Sequence, residues 1–92
     1  MIEESVIREF VRNNSDDEIR FLGMRLTERL QDDLAEVFNF ISKSSARNIK
    51  IDEMFRSTTT ANDLYECCDV FQEILDEEAS RRKVSLVRIK LN

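Results

Sequence analysis

The chain contains no proline, no histidine and no tryptophan, and its one glycine is Gly23. A sequence with so few turn formers does not build a sandwich or barrel, whose short strands need a turn every few residues. One glycine cannot make a phosphate-cradling loop. Without histidine the usual general base and nucleophile activator is missing, and so is the commonest metal ligand. Cysteine is limited to the adjacent pair Cys67 and Cys68. Neighbouring cysteines do not bridge each other, and no third one exists to pair with them. A disulfide framework is therefore excluded, and a reducing compartment, the cytoplasm, is the expected location. No basic-then-apolar leader follows Met1, and no apolar run approaches the roughly 18 residues of a membrane span. Neither secretion by signal peptide nor membrane insertion is expected.

What is present suits helices. Of the 92 residues, 41% are hydrophobic and 36% are charged, against about 25% charged in an average domain. That content supports one core, so the expectation is a single domain, 1–92, with a thin stability margin. No enzymatic constellation stands out, and neither cofactor nor metal is expected. The neighbours Asp32–Asp33 and Glu77–Glu78 would point about 100° apart on a helix and form no dyad unaided. Asp16–Asp17–Glu18 lacks the spacing of a calcium loop.

Periodicity divides the chain into three helical stretches. Ile2, Val6, Ile7, Phe10 and Val11 predict a short amphipathic helix over Met1–Arg12. Ser15 with Glu18 fits a capping box opening a second helix. Its apolar positions, Ile19, Leu22, Leu26, Leu30, Leu34, Val37, Phe38 and Ile41, run in register from Asp16 to about Lys43, which predicts one helix of about 40 Å. Gly23 interrupts it for no reason visible in the sequence. After a polar loop at 42–48, the alternation Asn48–Ile49–Lys50–Ile51–Asp52 predicts a short strand, and Asp52–Phe55 a single helical turn. Thr60 with Asp63 predicts a cap for a third helix, about Ala61–Arg82, with Leu64, Cys67, Cys68, Phe71, Leu75 and Ala79 on its core face. The tail, Val84–Leu91, alternates and predicts a strand. The expected fold is thus mainly α, with two long amphipathic helices, a short N-terminal helix and a minor β element at about 48–52 and 84–91. The two strands would pair within the chain or be completed by dimerisation.

Charge is segregated. The formal net charge is −5, yet residues 57–79 hold seven acids and no base, while residues 80–92 hold five bases and no acid. On a helical wheel Glu66, Asp69, Glu73, Asp76 and Glu77 fall within about 100°, opposite the core face, and Asp63 extends the row. Most acidic helix faces are simply solvated. This one lacks the interleaved Lys or Arg that solvated faces carry, and its like charges repel at i,i+3 and i,i+4. A row of carboxylates at helical spacing can imitate the phosphates of a nucleic-acid strand and meet a basic DNA-binding surface. The basic tail complements the helix dipole or protects a strand edge, and it could also pair with the acidic helix of a second copy. Phe21, Met24 and Tyr65 lie off the core stripes. With Val87 and Ile89 they are candidates for self-association, unless they pack inside the monomer.

In its size, its acidity and its lack of cofactor chemistry, the chain resembles small phage-encoded inhibitors of host proteins, including those that mimic DNA. With the unbroken acidic block, this resemblance leads to the expectation of a non-enzymatic inhibitor or regulator, and the thin core and long helix to that of a homodimer. Its acidic face, Asp63, Glu66, Asp69, Glu73, Asp76 and Glu77, would occupy the DNA site of a basic protein such as a restriction enzyme or nucleoid protein. Neither nucleic acid nor membrane would be bound directly, because the net charge opposes both. The alternative expectation is a structural adaptor or small subunit of a larger assembly, docking through helix faces and the C-terminal strand.

Overall fold

The structure is a computed structural model that describes residues 3–28, 31–58 and 60–86. Five helices follow one another: α1 (Glu4–Asn13), α2 (Asp16–Glu28), α3 (Gln31–Lys43), α4 (Ile49–Arg56) and α5 (Ala61–Arg82). Among the described residues there is no strand.

Local chemistry sets the helix starts. Ser15 and Glu18 close the expected capping box: the Ser15 N–H donates to the Glu18 carboxylate at 2.9 Å, and the Glu18 N–H donates to the Ser15 hydroxyl at 3.2 Å. Thr60 caps α5 by accepting from the Asp63 N–H at 3.1 Å. At the far end Lys83 takes a left-handed conformation, with φ 58° and ψ 39°. Its N–H donates to the Ser80 carbonyl at 3.2 Å, and the Val84 N–H donates to the Ala79 carbonyl at 2.8 Å. That pair of bonds is a Schellman closure, and here it holds a lysine where glycine is the usual residue.

Two expectations about the elements are corrected. The single helix over Asp16–Lys43 is a helical hairpin, α2 and α3. Ser44 Oγ donates to Glu18 at 3.4 Å, the Phe21 and Phe40 rings stand 5.0 Å apart, and Arg25 lies 3.2 Å from Glu36. Each step forward on α2 meets a partner further back on α3, so the two run antiparallel. Folding back lets Leu22 and Leu26 share one core with Val37 and Ile41, all of them buried. A straight helix of about 40 Å would outreach the molecule, whose longest extent is 32 Å. The apolar stripe keeps its register through the link and so conceals the break; Leu30 and the side chain of Leu34 lie outside the described residues.

The predicted strand at 48–52 is the start of α4. The Asn48 side chain accepts from the Ile51 N–H at 2.9 Å, a helix cap that sets the backbone. Ile51 and Met54, three apart, turn inward and are buried, while Ile49 is 72% exposed. Two isoleucines at i,i+2 are too short a pattern to distinguish alternation from a helix face. Of the second predicted strand, residues 84–86 have no regular structure and 87–91 lie outside the described residues.

The core is one cluster built around α5. Val6, Ile7, Phe10 and Val11 of α1 and Ile19, Leu22 and Leu26 of α2 close on Cys67, Cys68, Phe71, Ile74, Leu75 and Ala79. Four aromatic rings run through it in a chain: Phe10 to Phe71 (6.3 Å), Phe71 to Phe55 (5.8 Å) and Phe55 to Phe38 (5.2 Å). This chain ties α1, α5, α4 and α3 together. The segment after α5 packs on α2 at Gly23, where a Cβ would meet Leu86 at 3.4 Å, an ordinary van der Waals contact, so packing does not require glycine there.

Candidate functional site

The expected acidic face is laid out along α5. Asp63, Glu66, Asp69, Glu73, Asp76 and Glu77 are all exposed, and the Cys67, Phe71 and Leu75 side of the same helix is buried. The Asp63, Glu66 and Glu73 carboxylates have no ion-pair partner among the described residues. Asp69 and Asp76 take part in interactions of their own. At Glu77 the face ends against a cation the linear charge count could not show: Arg8 of α1 bonds to Glu77 and, at 2.6 Å, to Glu4. Arg8 holds the Glu77 carboxyl below the usual carboxylate range by its hydrogen bond and its charge. Along α5 itself no base interrupts the run from Asp63 to Asp76, about 20 Å at about 1.5 Å per residue.

The basic end of α5 is bound up with the fold. Arg82 is only 15% exposed in its side chain and lies 2.9 Å from Glu78 and 3.1 Å from Asp16. It also donates to three carbonyls around the α1–α2 turn: Asn14 (2.8 Å), Arg12 (2.9 Å) and Val11 (3.3 Å). The Val11 carbonyl also accepts from the Asn14 N–H at 3.2 Å, and the guanidinium adds a donor at the end of α1, where carbonyls run out of helical partners. Arg81 pairs with Glu78 too, and the two arginines bring the Glu78 carboxyl down to about 2, against burial that pushes it up. Next to them Asn14 is buried and satisfied: its amide donates to the Phe10 carbonyl at 2.7 Å, and its oxygen accepts from Ser44 at 3.1 Å.

The sequence reading missed this knot, although a signal was there. On the wheel Glu78 and Arg82 fall inside the apolar stripe of Cys67, Phe71 and Leu75, not on the acidic side. Two opposite charges at i,i+4 on a core face point to a partly buried pair with further partners on another element. Gln72 was missed in the same way. It reaches from α5 to the Leu26 carbonyl near the end of α2, at 2.9 Å.

Of the residues named for self-association, Phe21 is half-buried against Phe40, with the Arg25 guanidinium 5.6 Å from its ring centre. Met24 is half-buried, and Tyr65 is 47% exposed. Val87 and Ile89 lie outside the described residues. Cys67 and Cys68 are buried thiols that form no disulfide among the described residues. Burial, with Cys68 and Glu66 adding to it, pushes the Cys67 thiol up to about 12, so it carries almost no thiolate at neutral pH. Among the described residues no three His, Cys, Asp or Glu side chains meet as a metal site would need, and no helix is long and apolar enough to cross a membrane. Comparison with protein-family models, curated proteins and solved structures finds no match.

Proposed function

We propose that the protein is a non-enzymatic binder whose α5 face, Asp63 to Asp76, occupies the nucleic-acid site of a basic partner protein. The observation that carries this reading is the row of exposed carboxylates on one rigid helix, with no base interleaved. Asp63, Glu66 and Glu73 support it most directly, because no ion pair within the described fold uses them. Like charges three and four residues apart oppose the helix by about 0.2–0.5 kcal/mol per pair, so repulsion within the row works against stability. A basic groove built for phosphates would meet it with the same salt-sensitive attraction it shows to DNA.

The test is capture of partners from cell lysate at low and at high salt, followed by competition with duplex DNA. The reading expects a captured protein that is released by salt and by DNA. It also expects capture to fail for the variant with Glu66, Asp69, Glu73 and Asp76 all changed to Lys. Capture by that variant at the wild-type level would end the proposal.

One observation favours the second reading, an adaptor within a larger assembly. Ile49 at the start of α4 and Tyr65 on α5 are large apolar side chains left exposed. That reading expects capture that survives high salt and fails when Ile49 or Tyr65 becomes Asp.

A further inference from the structure

We propose that the pocket between the end of α3 and α4 binds a small apolar carboxylate. Its hydrocarbon body would rest on Phe38, Ile41 and Phe55, with its carboxylate against Arg56.

The pocket encloses about 400 Å³, within the roughly 300–1,000 Å³ of small-ligand sites. All its lining residues belong to α3, α4 and the segments flanking α4. The hollow is accordingly short, suited to a compact body and not to a docked helix. The Phe38 and Phe55 rings meet edge to face at 5.2 Å, and Phe55 stacks at 5.8 Å on the buried Phe71. The apolar floor is thus fixed to the core before any ligand arrives, which lowers the entropy lost on binding.

The rim decides the ligand's charge. Arg47 is already engaged, by Asp52 at 2.7 Å and by the Ser42 carbonyl at 3.1 Å. Both rim hydroxyls are engaged as donors, Ser42 to the Phe38 carbonyl at 3.0 Å and Thr58 to the Met54 carbonyl at 3.0 Å. Arg56 is exposed and has no partner among the described residues. Asp52 answers the charge of Arg47, so the rim cation with no carboxylate partner among the described residues is Arg56, and the geometric complement of its guanidinium fork is a carboxylate. The pocket uses no carboxylate of α5, so its test and that of the acidic face are independent.

The experiment titrates the full chain with 2-naphthoate and, separately, with its neutral analogue 2-naphthamide. Amide NMR locates the site, and ligand fluorescence gives the affinity; the absence of tryptophan leaves the naphthyl emission readable. Shifts should concentrate between residues 38 and 58, and the acid should bind about tenfold more tightly than the amide, because a charge-assisted bond is lost with the charge. Arg56→Gln should weaken the acid by about the same factor and leave the amide unchanged. Lys50→Gln, on α4 but outside the pocket, should alter neither. Equal binding of acid and amide to the wild-type protein would overturn the proposal. So would scattered shifts, no shifts up to the solubility limit of the acid, or an Arg56→Gln variant that binds the acid as before.

Discussion

Glu73 and Glu78 are the same side chain five residues apart on one helix, and the fold treats them in opposite ways. Glu78 points into the core stripe, where Arg81 and Arg82 answer it and hold its carboxyl at about 2. Glu73 points outward among Asp69, Asp76 and Glu77, all exposed. The difference is helical phase: a carboxylate turned toward the interior must be paired, because desolvation would otherwise neutralise it. One turned toward water has no such need and can be kept for a partner. The end of α5 thus spends its charge on tertiary structure, while Glu73 has no ion-pair partner among the described residues.

Breaking the inward end should have the largest effect. Arg82→Ala leaves Asp16 without its cation, Glu78 with Arg81 alone, and the Arg12 and Asn14 carbonyls without the guanidinium that donates to them. A loss of about 3 kcal/mol is expected in urea denaturation. Arg82→Lys should restore less than half of it, because one ammonium cannot reproduce the fork.

Glu78→Gln comes next, at about 2 kcal/mol near neutral pH. Because the folded-state carboxyl is lowered, its contribution is complete above the unfolded value of 4.5 and fades as pH falls toward about 2. The gap between wild type and variant in denaturation midpoints should close across that window and be constant above it. A gap that persists unchanged at pH 2 would mean that the pairing with Arg81 and Arg82 is not its source.

Lys83→Gly relieves a lysine held at φ 58° and should stabilise the closure of α5 by about 1 kcal/mol, read as a higher melting temperature. The smallest effect should come from the outward face, and with the opposite sign to the inward ones. Glu73→Lys replaces repulsion with attraction toward Asp69, Asp76 and Glu77, and a gain of about 0.5 kcal/mol is expected. A clear loss in that variant would show that Glu73 serves the fold after all, and the contrast along α5 would fail.

The sequence made much of this fold legible where one residue's chemistry decides the backbone. The Ser15–Glu18 box, the Thr60 cap, the buried faces of α1 and α5 and the exposure of the acidic row all follow from side-chain type and 3.6-residue phase. It was misleading where phase is shared by two structures. The stripe from Ile19 to Ile41 fits a straight helix and a hairpin equally well, and only packing against α5 and the limited size of the molecule choose between them. Ile49 and Ile51 fit a strand and a helix equally well until the Asn48 cap is seen. Counting charge by segment found the acidic block but merged Glu78 with it, because a count carries no phase. The same count could not show Arg8 arriving from another helix to close the face at Glu77.

The proposed role of the outward carboxylates of α5 is to meet a basic partner. Its most direct measurement is the affinity of a captured partner across a salt series, for the wild type and for the variant with Glu66, Asp69, Glu73 and Asp76 changed to Lys. The logarithm of the wild-type affinity is expected to fall steeply with the logarithm of salt concentration, as phosphate-binding surfaces behave, and the variant to show no binding at any salt. A flat salt response, or a variant that binds as the wild type does, would contradict it.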